Sequence, residues 1–163
     1  MAILLRPYRP HDASATLKIF LDAVTVGAKG DYTPQQLAAW AGTPTDHKDW
    51  HANRAATTTM VAEVAGEVVG FADLDVTDNP GYINMLFVTP THTGHGVGSV
   101  LLEWAIATGR KWGIARLTAH ASITARTVFA THGFEVVETC SPVIRGTALN
   151  NFLMVKDLSV PLS

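Results

Sequence analysis

Residues 94–98, Gly-His-Gly-Val-Gly, set three glycines at alternate positions directly ahead of an apolar helical pattern. Backbone without Cβ atoms at such a spot lets a ligand approach amide groups that have no helical partners. Three chemistries use a strand, a glycine turn and a helix start. A dinucleotide site asks for G-x-G-x-x-G early in a βαβ unit, with an acidic residue about twenty positions on. Here position 99 is serine, and the strands ahead of the loop read as a meander. A Walker-type phosphate loop ends in Gly-Lys-Ser/Thr, whereas no lysine lies between Asp49 and Lys111. What remains is a helix N-terminus whose free amides and partial positive charge hold a pyrophosphate, with Gly96 and Gly98 letting phosphate oxygens reach the backbone.

The elements around the loop must position it. Ile3–Leu5 reads as a first strand, and His11–Val26 carries Leu17, Phe20, Leu21 and Val24 as one helical stripe. Thr33 as N-cap, Pro34 at the first helical position and Gln36 after it form a capping box on a second helix. The segment to Arg54 holds Trp40, His47, Trp50 and His51 and reads as a lid or side wall with a short helix opened by Asp46. Two strands in TTTMVAEVAGEVVGFADLDV turn at Ala65-Gly66, and YINMLFV is the next strand after the turn at Asn79-Pro80-Gly81. Then come a helix over Gly98–Trp112, the strand ARLTAHAS, a helix stopped by Gly133, and the strands FEVVET and ALNNFLMVK. This order predicts one α/β (α+β) domain over residues 1–163: a mixed, mostly antiparallel sheet of about seven strands, helices on both faces, and a cleft between the fourth and fifth strands.

Composition narrows the partners. Hydrophobic residues make up 47% and charged residues 16%, with twelve Lys plus Arg against fourteen Asp plus Glu, net −2. That balance gives no electrostatic grip on nucleic acid or an anionic membrane. The run MAILL is cut by Arg6 and Pro7, and nowhere do ~18 apolar residues run together, so the expectation is a cytoplasmic protein that neither spans nor crosses a membrane. Cys140, the one cysteine, has no disulfide mate and no metal-ligand spacing around it, and no metal is expected.

The strand MLFVTP, the run Thr93–Gly98 and the helix after it resemble the acyl-CoA-binding motif Q/R-x-x-G-x-G/A of the GNAT superfamily of N-acetyltransferases. ASITARTVFATHGF is similar to that family's N-x-x-A-x-x-x-Y-x-x-x-G-F segment, and DYTPQQLAAWA with GFADLDV resembles its YafP-like branch. The resemblance covers nearly the whole chain and implies acetyl-CoA as co-substrate. It implies that Thr93, Gly94, His95, Gly96, Val97, Gly98 and Ser99 cradle the pyrophosphate, with Leu86, Phe87 and Val88 along the pantetheine arm. Thr93 stands where Gln or Arg is usual, His95 where Arg is common, and Ser122 where Asn is frequent. Phe129 occupies the position of the family's acidic tyrosine and cannot donate a proton.

Acetyl transfer from acetyl-CoA to a primary amine, directly in a ternary complex, is the function this resemblance implies. A CoA-binding module without turnover is the alternative, and a nicotinamide enzyme a weaker one. For the base, His120 is the first candidate, its ordinary pKa lying near neutrality. Asp73 and Asp75, two positions apart on one strand, are the second, as a pair that could bind a cationic amine and raise each other's pKa. Strand alternation puts Tyr82, Asn84, Leu86 and Val88 on one face. Tyr82, Ser122 or Cys140 could supply the missing acid, although no base neighbours Cys140 in sequence and a covalent cysteine route is disfavoured. Tyr32, Trp40 and Trp50 are read as packing rather than an amine cage. The acceptor is a small-molecule or peptide amine, with Asp31, Asp73 and Asp75 hinting at a cation. The last strands, with ALNN and FLMV, offer an edge through which a homodimer could form.

Overall fold

The computed structural model describes residues 1–159. Seven strands make one sheet: β1 (Leu4–Pro7), β2 (Thr58–Val64), β3 (Glu67–Asp75), β4 (Gly81–Val88), β5 (Arg116–Ser122), β6 (Glu135–Cys140) and, last in the chain, β9 (Asn151–Asp157). Their order is β1-β2-β3-β4-β5-β9-β6, and β7 (Val143–Ile144) pairs with β8 (Thr147–Ala148) in a separate small hairpin. Among the described residues the only parallel neighbours are β4 and β5. The fold is thus the mixed, mostly antiparallel α/β sheet that the element order predicts.

Alternation along β3 divides the core. Phe71 packs under α1 (Ala13–Asp22), α2 (Pro34–Ala41) and α3 (Trp50–Ala55), beside Phe20, Val24 and Trp50. Its neighbour Ala72 faces Val97 and Leu101 of α4 (Val97–Lys111) on the other side, where α5 (Arg126–Thr131) also packs. Among the described residues no helix is long and apolar enough to cross a membrane.

Local signals held where they were self-contained. Thr33 Oγ1 accepts from Gln36 N at 3.2 Å and Thr33 N donates to Gln36 Oε1 at 3.0 Å, closing the capping box. Several boundaries differ. The first strand runs to Pro7, which an edge strand tolerates because its missing N–H faces no partner. The long first helix divides into a 3-10 turn (Pro10–Asp12), α1 and a wide π turn (Ala23–Gly27). Asp46 opens no helix. It accepts from Thr43 N at 2.8 Å and Thr43 Oγ1 at 2.9 Å inside the Pro44–His47 turn, and α3 starts only at Trp50. The run ALNNFLMVK is divided between β8 and β9.

One irregularity reorganises the middle of the sheet. Asp73 faces Met85 and Leu74 faces Ile83, so Asn84 is an extra residue bulged out of β4. A bulge bends its strand and shifts alternation by one. Ile83, Leu86 and Val88 therefore face α4, while Met85 and Phe87 pack toward α1. The expectation that Tyr82, Asn84, Leu86 and Val88 share a face is corrected by that extra residue. Past the bend β4 leaves β5: their pairing covers only Gly81–Ile83 with Leu117–Ala119.

Gly70 lets α4 settle on this sheet, since a Cβ there would meet Val97 Cγ1 at 2.9 Å and the Phe87 carbonyl at 3.1 Å. Gly70→Ala should cost about 1–3 kcal/mol through overpacking against backbone that cannot yield. A thermal melt of the variant that matched wild type would contradict this packing.

Candidate active site

The wedge between β4 and β5 opens into a cavity of about 310 Å³. One wall is the unpaired stretch Leu86, Phe87 and Val88, and the floor is the loop Thr93, Gly94 and Gly96 with the helix start Val97, Gly98 and Ser99. Gly94 and Gly96 have φ of +81° and +87°, a left-handed backbone that side chains resist, and nothing lies within 4 Å of where their Cβ atoms would be. Val100 N donates to Gly96 O at 3.1 Å, so the amides of Val97, Gly98 and Ser99 stand ahead of the first helical bond. Gly98 is helical, and its Cβ would fall 3.8 Å from Val88 Cγ2 and 3.9 Å from Val128 Cγ2, within the gap between β4 and α5.

Three expected contacts change. The amides of Thr93 and His95 are spent inside the turn, on Pro90 O and His92 O, both at 3.3 Å. His95 does not line the cavity; its ring lies beside His92, 6.1 Å away, and His92 does line it. Phe129 is 3% exposed and packs edge-on to Phe134 at 5.2 Å, while its helix presents Val128 and the preceding Ala125 to the cavity. The missing hydroxyl at position 129 matches an apolar setting. Sequence reasoning missed the opposite wall, formed by Ala23, Gly27, Ala28 and Trp40. Only Trp40 carried a local signal there.

A second chamber, about 140 Å³, adjoins the first, and both are lined by Trp40, Phe87 and Ser122. It holds His120 and Asn84. His120 leaves β5 on the face opposite the buried Ala119 and Ala121, and its Nδ1 is 2.8 Å from the Tyr82 hydroxyl. Burial, above all, pushes the Tyr82 phenol up, so it stays protonated across the neutral range. Ser122 Oγ accepts from Ala125 N at 3.0 Å, which leaves its own proton free.

The carboxylates do not form the expected pair. Asp73 is fully buried, with Arg54 Nε 2.9 Å from Oδ2 and Asn84 Nδ2 donating to the same oxygen at 3.3 Å. Desolvation raises its pKa and the Arg54 charge opposes that rise. Asp75 turns to Thr77, whose hydroxyl and amide donate to it at 2.7 and 3.0 Å and lower its pKa. Asp31 is bound by Thr124 Oγ1 at 2.7 Å. Each carboxylate is held by its own partners, Asp73 by Arg54 and Asn84 and Asp75 by Thr77, and neither lines either chamber. Tyr32 and Trp50 are packing residues, as read: the Tyr32 hydroxyl donates to Asn150 O at 2.6 Å and accepts from Ile123 N at 2.9 Å. Trp50 Nε1 donates to Thr16 Oγ1 at 3.0 Å. Trp40, by contrast, is a wall of both chambers.

A sheet that splays beside a glycine loop and a helix start is the architecture of an acyltransferase of the GNAT type, and residues 28–150 match the acetyltransferase (GNAT) domain family. The chain belongs to that family. It is 37% identical over 93% of its length, and 94% of the relative's, to the uncharacterized N-acetyltransferase YafP of Escherichia coli. A GCN5-related N-acetyltransferase structure from Rhodopseudomonas palustris superposes with a TM-score of 0.89 at 32% identity, covering 96% of each chain. The fold is shared also with yncA, a putative acetyltransferase of Salmonella typhimurium solved with acetyl-CoA, at a TM-score of 0.71 and 19% identity over 100% of this chain and 98% of that one.

The two loop glycines separate backbone strain from steric access. Gly96→Ala should lose about 1–2 kcal/mol of stability to its left-handed conformation. Gly98→Ala should be as stable as wild type or more so, because alanine favours a helix, and should still bind acetyl-CoA more weakly. Calorimetric titration of Gly98→Ala checks this; wild-type affinity would remove Gly98 from the cradle.

Proposed function

We propose that this protein, as a single domain over residues 1–163, moves the acetyl group of acetyl-CoA to a primary amine by direct attack in a ternary complex. The carrying observation is that the two chambers adjoin, with Trp40, Phe87 and Ser122 lining both. One chamber has amides and a bare strand edge for CoA; the other has a histidine for the amine. The residues present fit the cofactor: Gly94 and Gly96 leave the loop open, three amides start α4, and β4 beyond Ile83 has no β5 neighbour to occupy its edge.

Acetyl-CoA supplies an activated thioester carbonyl; the amine nitrogen bonds to that carbon, the C–S bond breaks, and the departing thiolate takes up the surplus nitrogen proton to leave as CoA thiol. His120 takes the ammonium proton so that the amine attacks neutral. With Tyr82 kept as a phenol, its oxygen can accept from Nδ1–H, which leaves Nε2 with the free lone pair. Ser122 donates a hydrogen bond toward the leaving sulfur in this reading, which its place in both linings and its free hydroxyl proton support. Asp73 acts at one remove by holding the Asn84 amide.

A CoA-binding module without turnover is the second reading, favoured by the phenyl ring of Phe129 buried where a proton donor is usual in the family. Release of free thiol from acetyl-CoA, assayed across an amine panel, distinguishes the two. Transfer predicts amine-dependent thiol release that falls about a hundredfold or more in His120→Ala and less in Tyr82→Phe, with acetyl-CoA affinity retained in both. Acetyl-CoA binding without release for any amine would leave the module. No binding at all would sink both readings.

A further inference from the structure

Behind the His120 chamber lies a third cavity of about 280 Å³, which shares Phe20, Trp40, Met85 and Ile144 with it. Its polar wall is unlike the neutral one in front: Arg54, Arg145 and His47 line it, against one carboxylate, Asp46. That carboxylate is already taken. It accepts from Thr43 N and Oγ1, and Arg145 Nε stands 3.2 Å away. His47 Nε2 is directed at Ala41 O. Arg145 Nη1 donates to the α2 carbonyls of Ala39 and Trp40 at 2.7 and 3.3 Å.

Arg54 is the unsatisfied member. It is 3% exposed and lies 4.5 Å over the Trp50 ring. Its Nη1 finds only the Met85 sulfur, at 3.1 Å, which is a weak acceptor. Its Nε is 2.9 Å from Asp73 Oδ2, yet the angle makes no hydrogen bond, and Nε is buried without a partner among the described residues. A guanidinium presents five N–H donors in a planar fork shaped for an oxyanion. Asp73 offsets the charge from one side but does not line the cavity, so the donors remain in excess of the acceptors there. Nowhere do the second and third cavities offer a free carboxylate to an ammonium or guanidinium group.

We propose that the acceptor is an amine with a carboxylate at its far end: the amine reaches His120, the aromatic walls of Phe20 and Trp40 flank the body, and Arg54, seconded by Arg145, receives the carboxylate. This rests on the acetyl-transfer reading and reverses the cationic acceptor that Asp31, Asp73 and Asp75 suggest in sequence. It places the enzyme's specificity in α3, far along the chain from the glycine loop.

The test is a matched series of aryl and alkyl primary amines of increasing length, each ending in a carboxylate, the corresponding carboxamide, or a second amine, assayed by thiol release from acetyl-CoA. The carboxylate member should exceed its carboxamide in kcat/KM by about tenfold or more at the best length, the worth of hydrogen bonds to a charged partner. In Arg54→Lys that ratio should fall toward unity; being a ratio within one protein, it is insensitive to how much of the variant folds. Equal rates, or preference for carboxamide or diamine at every length, would overturn the carboxylate while leaving acetyl transfer standing. No turnover of any member despite acetyl-CoA binding would overturn it too. Failure to bind acetyl-CoA would remove the inference together with the reading beneath it.

Discussion

The short parallel contact between β4 and β5 is the constraint on which the site depends. Three residues of each strand pair, then the bulge at Asn84 bends β4 away. Had the pairing continued, the sheet would have closed over the ground that both chambers now occupy. A bulge costs the ladder one residue, but here it opens a strand edge for a ligand and turns Asn84 down onto Asp73. The parallel geometry supports this, since no hairpin ties the diverging ends together and α4 crosses between them.

Holding such a wedge open requires bracing, and the chain supplies it from distant segments. Tyr32 joins the loop ahead of α2 to the end of β5 and the start of β9 through one hydroxyl, donating to Asn150 O and accepting from Ile123 N. Arg145, at the tip of the β7–β8 hairpin, reaches the last carbonyls of α2, and Gly42 leaves room for it: a Cβ at Gly42 would sit 2.8 Å from the Arg145 guanidinium carbon. The hairpin and the N-terminal helices thus close the acceptor side together. Neither could do so alone, because the hairpin has only two residues per strand.

Charge is managed by burial. Asp73 and Arg54 are removed from water as a pair, and loss of either partner would strand the other in the interior. Asp12 is likewise buried, held by two bonds of 2.8 Å from Arg6, and its pKa is lowered chiefly by that partner. The first of these pairs spends, on Arg54, a carboxylate that the sequence offers to a cationic acceptor. What is left facing the chambers is amide, imidazole, hydroxyl and aromatic surface, with guanidinium groups and the already engaged Asp46 only at the far end.

The sequence by itself determined whatever depends on neighbours in the chain. The capping box at Thr33, the turn at Ala65-Gly66, and the left-handed glycines ahead of α4 are local conformational preferences, and their residue types were enough. Alternation and helical periodicity likewise predicted the strands and the mixed sheet. Tertiary structure alone decided which side chains meet. A single extra residue at Asn84 exchanged the faces of β4 and set Leu86 and Val88 against α4, while burial against Arg54 took Asp73 out of reach of a ligand. The meeting of Tyr82 with His120, 38 positions apart, and of Arg54 with Asp73 follows from strand order and register. Those are fixed by burying whole faces at once, a long-range constraint that no stretch of sequence contains.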